Sequence, residues 1–63
     1  MTQEQINNFI AQAIPGQMIN VTMPIYVLAY KGNFVGSNEK NVLIKDDRNI
    51  TMVLEKSKIG DIF

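Results

Sequence analysis

The sequence predicts a mainly β fold with one N-terminal helix: a small five-stranded, bent antiparallel barrel of SH3-like form. Three observations carry this. A helical apolar stripe near the start ends at Pro15-Gly16. From Gln17 onward the apolar residues recur with a strand period of two instead. Gly32 and Gly36 then fall inside and at the end of the most apolar stretch, where glycine marks a bend or a bulge. A long strand bent at glycine is what a small closed barrel requires. An OB-type barrel usually runs longer and places its helix between strands. Here the helix comes first.

Residues 2–14 read as the helix. Thr2 is the N-cap, and Gln5 stands three residues on, as in a capping box. Ile6, Phe9, Ile10, Ala13 and Ile14 form one stripe, while Gln3, Asn7, Asn8 and Gln12 fill the other face. Pro15 disfavours helical geometry in Ile14, and Gly16 suits the exit. A helix this short is marginal alone, so it must dock.

The barrel occupies residues 17–63. Gln17 to Met23 alternates, with Ile19, Val21 and Met23 on one face. Pro24 interrupts, because it lacks a ladder donor. Ile25 to Val35 is apolar on both parities, which predicts a strand covered on both faces. Ser37 to Lys40 is a turn, and Asn41 to Lys45 a short strand. Asp46 to Asn49 is a polar hairpin loop. Ile50 to Glu55 is the fourth strand, Lys56 to Lys58 a polar link, and Ile59 to Phe63 the last strand, weakened by Gly60. No linker or repeat divides the chain, so 1–63 is one domain.

Composition narrows the function. The chain has 63 residues, with neither Cys nor His. That removes thiolate chemistry and Cys-type zinc sites, along with the commonest general base and metal ligand. No nucleophile–base pair, phosphate loop or metal spacing appears, so no enzyme, cofactor or metal is expected. Six basic residues offset six acidic ones. Any nucleic-acid contact must therefore be a local patch or base stacking. The start lacks a basic n-region, and no apolar run approaches the ~20 residues that span a bilayer. A soluble, cytoplasmic protein is the expectation. A domain of this size usually needs a staple, and self-association is the one left.

The stretch Tyr30-Lys31-Gly32-Asn33-Phe34-Val35-Gly36-Ser37-Asn38, followed by Asn41-Val42-Leu43-Ile44, resembles the Sm-like family, most nearly its bacterial Hfq branch. The family pattern is a glycine in the second strand, an apolar residue two on, and an acidic residue or Asn after the strand. An apolar third strand follows. Gly32, Phe34, Asn38 and Val42 to Ile44 match it. The segment Met52 to Ile62 follows the family order of strand, basic link and short strand. Three positions depart. Glu55-Lys56-Ser57 stands where that branch has Tyr-Lys-His, Lys40 replaces the uridine-stacking aromatic, and Met23-Pro24-Ile25 replaces an Asn-Gly-type turn. The resemblance implies an RNA-binding homo-oligomeric ring, a riboregulator or RNA chaperone, built by pairing the fourth strand of one copy with the fifth of the next.

Each candidate residue has two readings. Lys56 and Lys58 share strand parity and would line a ring's pore as a positive annulus, or they are a solvated link. Lys40, Asn38 and Asn41 would border an RNA pocket, or they are turn chemistry. Tyr26 and Tyr30, with Phe34, would stack single-stranded bases, or they pack the interior. Asp46 and Asp47 read as a solvated turn. Ile50, Met52, Val53, Ile59, Ile62 and Phe63 would form the subunit interface, or they complete the barrel within one chain. The alternative function is a protein-interaction module, such as a phage or accessory protein that binds a host factor without nucleic acid. A third is a structural subunit of a larger assembly.

Overall fold

The computed structural model describes all residues from Met1 to Phe63. Helix α1 spans Gln3–Gln12. Thr2 caps it: Gln5 N donates to Thr2 Oγ1 at 3.1 Å, and Thr2 N donates to Gln5 Oε1 at 2.9 Å. The capping box is thus formed as the spacing predicts. Ile6 and Ile10 are buried, with Phe9 and Ala13 packed beside them. The helix stops two residues short of Ile14, because Ala13 already takes extended backbone ahead of the Ile14-Pro15 step. Ile14 therefore leaves the stripe and is 68% exposed.

Five strands follow: β1 Met18–Met23, β2 Leu28–Ser37, β3 Asn41–Lys45, β4 Thr51–Glu55 and β5 Asp61–Ile62. They form one antiparallel sheet in the order β4-β3-β2-β1-β5. The meander β1 to β4 is built of neighbouring hairpins. β5 then returns to the far side of β1, pairing Ile62 with Val21 and Asp61 with Thr22. No pairing joins β4 to β5, so the sheet bends without closing into a barrel, and both strands remain edges.

Glycine governs the bend as the sequence implies. Gly32 is buried opposite Ile19, where a Cβ would lie 2.6 Å from Lys45 O. The β2–β3 register skips Val35, a bulge between Phe34 and Gly36. The interior is wholly apolar: Ile19, Val21 and Met23 from β1, Phe34, Val42, Ile44, Leu54, Ile59 and Ile62, closed by Ile6 and Ile10 of α1. No polar or charged side chain is buried.

Two strands, the second and the last, differ most from expectation. Ile25, Tyr26 and Val27 lie outside β2. Pro24 to Tyr26 turns in a single 3-10 turn, and Val27 follows in left-handed backbone. Proline presets φ for such a turn and cannot donate to a continuing ladder. The second strand is consequently not covered on both faces: Leu28 and Val35 are exposed. The last strand is likewise shorter than Ile59 to Phe63, because Lys56–Lys58 forms a 3-10 turn that delivers Ile59 straight into the core.

Candidate functional site

The turn after β2 is fixed by Asn38. Its Oδ1 accepts from Lys40 N at 2.9 Å and Asn41 N at 2.8 Å. This is turn chemistry, so the Asn38 carbonyl oxygen is already engaged. The turn sets Lys40 beside the chain leaving β4, where Lys56 N donates to Lys40 O at 2.8 Å. Lys56 also anchors the helix. Its carbonyl accepts from Gln3 Nε2 at 2.9 Å, and its Nζ donates to Asn7 Oδ1 at 3.2 Å. Gln3, Glu39, Lys40, Glu55, Lys56 and Ser57 line one polar groove. Its two lysines face two glutamates, so its charges balance.

Four predicted site residues fall elsewhere. Lys58 does not share a face with Lys56, because residues two apart in a 3-10 turn diverge by roughly 120°. Tyr30 is half-buried against the core beside Val21, and Phe34 is in the core itself. Tyr26 is exposed, but it sits on the 3-10 turn and not on the face of β2. No stacking platform of Tyr26, Tyr30 and Phe34 exists. Lys40, Lys56, Asn38 and Asn41 are the expected residues that do converge at one corner.

The expected interface set also divides. Ile59 and Ile62 are 5% and 2% exposed within the single chain, where they pack against β1 and α1 as core. They complete the fold and present no surface. Met52 is half-buried against the core. Ile50, Val53 and Phe63 are exposed, with Ile50 in the loop just before β4.

The largest anomaly is one the sequence reading missed. From the β1–β2 turn to the first residue of β2 the chain exposes four consecutive large apolar residues: Ile25 69%, Tyr26 51%, Val27 91% and Leu28 46%. Val27 holds φ 52° and ψ 43°. Left-handed backbone is a genuine outlier for a β-branched residue. Its N–H closes the turn onto Pro24 O at 3.0 Å. Pro24 lies against Gly60, where an added Cβ would come within 2.6 Å of the ring, so the base of this knuckle is pinned to the strap before β5. The available sequence signal was Pro24 inside an apolar run, which demotes a strand.

The hairpin loop before β4 holds an acid with a lowered pKa. Asp46 Oδ1 accepts from Ile50 N at 3.0 Å and Arg48 N at 2.9 Å, and Oδ2 pairs with Arg48 Nη2 at 3.1 Å. The Ile50 N–H, then the Arg48 side chain and N–H, hold its carboxyl below the ordinary 3.8, against a partial opposing effect of desolvation. Because the folded value is depressed, this contribution is fully present above the unfolded value. It fades as pH falls through the folded one, below 3.8. An NMR titration of the Asp46 carboxyl is expected to give a midpoint under 3.8, with the Ile50 amide shifting in step; a midpoint above it contradicts the geometry. Asp46 and Asp47 belong to no cluster of three or more potential metal-ligating side chains.

No helix is long and apolar enough to cross a membrane. No protein-family model, curated protein or solved structure matches the chain.

Proposed function

We propose that the chain is a small protein-interaction module that seats the Ile25–Leu28 knuckle in an uncharged apolar cleft of a partner protein. The observation that carries this is Val27. A non-glycine residue in left-handed backbone costs about 1–3 kcal/mol and persists only where its surroundings impose it. At 91% exposure Val27 recovers almost none of that through packing within its own chain. Aliphatic and aromatic anchors inserted into pockets dominate the energetics of interfaces. The knuckle offers Ile25, Tyr26, Val27 and Leu28 in one turn, and no charged residue lies between Pro24 and Tyr30.

The test is Val27→Asn. Asparagine tolerates left-handed backbone and removes the apolar surface. The variant is expected to be more stable by about 1 kcal/mol in urea unfolding. It is also expected to lose the nuclease-resistant protein that the tagged wild-type chain captures from extract. A variant that is less stable, or that captures the same partner, removes the proposal.

A second reading is RNA binding by a homo-oligomer. The convergence of Lys40, Lys56, Asn38 and Asn41 supports it, as does the likeness to the Sm-like family over Gly32 to Ile44. Its electrostatics are weak, because Glu39 and Glu55 share the groove. Filter binding to single-stranded RNA at low and moderate salt tests it directly. Absence of retention at low salt ends that reading.

A further inference from the structure

The two edges of the open sheet differ. On β5 the outward N–H, that of Ile62, is already taken by Met1 Sδ at 3.4 Å. On β4 the outward groups have no such cover. Lys56 N bonds Lys40 O, and Asp46 N bonds Ile50 O. In an antiparallel ladder the bonded pairs alternate, so Met52 and Leu54 bond inward to Ile44 and Val42. Thr51, Val53 and Glu55 therefore aim their N–H and C=O groups away from the sheet. Edge strands are normally blunted by proline, lysine, a bulge or a covering segment. Thr51-Met52-Val53-Leu54-Glu55 has none of the first three, and nothing packs along its edge.

We infer that this edge pairs with β4 of a second copy of the chain, antiparallel and centred on Val53. That register is the one that uses all three outward residues. Val53 faces Val53 of the second copy, and each Thr51 faces the other's Glu55. Each such pair exchanges two bonds, giving about six backbone hydrogen bonds. No like charges are opposed, since Glu55 meets threonine. On the outer face Leu43 and Val53 already form a row, side by side in register. The two-fold axis extends this row into the same row of the second copy. On the inner face each Met52 flanks the other chain's Leu54, which continues the core across the seam. Pairing with β5 of another copy would offer far fewer bonds, because only Ile62 of its two residues points outward and Met1 occupies that position. An isologous contact also closes at two copies, whereas a head-to-tail one must form a ring or a filament.

The test joins solution mass with two variants of the full chain. Sedimentation equilibrium is expected to give a dimer, twice 7.1 kDa. A monomer overturns the inference, and so does a ring or filament, which would indicate head-to-tail pairing. Val53→Pro removes one outward N–H and no bond within the chain, a place where an edge strand accepts proline. It is expected to keep the wild-type circular dichroism and lose the dimer; a folded variant that remains dimeric overturns the inference. Should that variant fail to fold, Val53→Cys decides. The chain has no other cysteine. Facing residues of a bonded pair sit about 5.5 Å apart at Cα, within disulfide range. Oxidation is expected to yield a covalent dimer faster than it does for Leu28→Cys, and equal rates count against the pairing.

Discussion

Gly32→Val is expected to leave most of the protein unfolded at room temperature. A Cβ at Gly32 would stand 2.6 Å from Lys45 O and 3.1 Å from Lys45 C, with Ile44 Cδ1 at 3.4 Å. The first two are backbone atoms and cannot rotate away. β2 would have to lift from β3 where Asn33 meets Lys45 and Phe34 meets Ile44. Overpacking of a tight interior costs about 1–3 kcal/mol and occasionally more. A domain of this size rarely has more than about 3–5 kcal/mol in all. The penalty therefore rivals the whole reserve. Gly36→Ala is the control, because nothing lies within 4 Å of its added Cβ. Circular dichroism and amide dispersion should show Gly36→Ala folded and Gly32→Val largely not. A folded Gly32→Val with an unchanged β2–β3 register would refute the argument.

Ile44→Ala should be almost as damaging. Ile44 is fully buried, with Phe34 beside it on β2 and Met52 beside it on β4. Truncating a buried isoleucine costs about 2–5 kcal/mol, the spread reflecting how far the site can collapse. Collapse is limited here, because β3 is held by a strand on each side. The urea midpoint should fall steeply, whereas Lys31→Ala, at an exposed position of β2, should change stability by less than about 0.5 kcal/mol. Equal effects from the two would place Ile44 outside the core.

The parts of this fold that could be read from the sequence are those with a local cause. Thr2 and Gln5 state the helix start, the Ile6/Phe9/Ile10 spacing states its buried face, and Asn38 states a turn through its own side chain. β3 reads correctly because Val42 and Ile44 alternate with half-buried neighbours. Ile25 to Val27 misled for a physical reason. An apolar run looks the same whether it is covered on both faces or left uncovered, and periodicity cannot say which. Val27 in left-handed backbone has no sequence signature, since it runs against residue preference. Lys56 to Lys58 lacked one too: the 3-10 turn is set by Ile59 reaching the core, a long-range demand. The contact of Lys40 with Lys56 joins residues far apart in the chain, and neither residue's local sequence states it. The knuckle was not foreseen.

Lys56 uses three separate groups at one junction: its N–H on Lys40, its carbonyl on Gln3 and its Nζ on Asn7. Gln3 and Asn7 stand one turn apart on α1. An anion that drew that ammonium away from Asn7 would compete with this contact to the helix. Occupancy of the groove and seating of the helix would then be reciprocally linked, each weakening the other by the same factor. The N-terminal segment would thus report on the charge state of a corner it only borders.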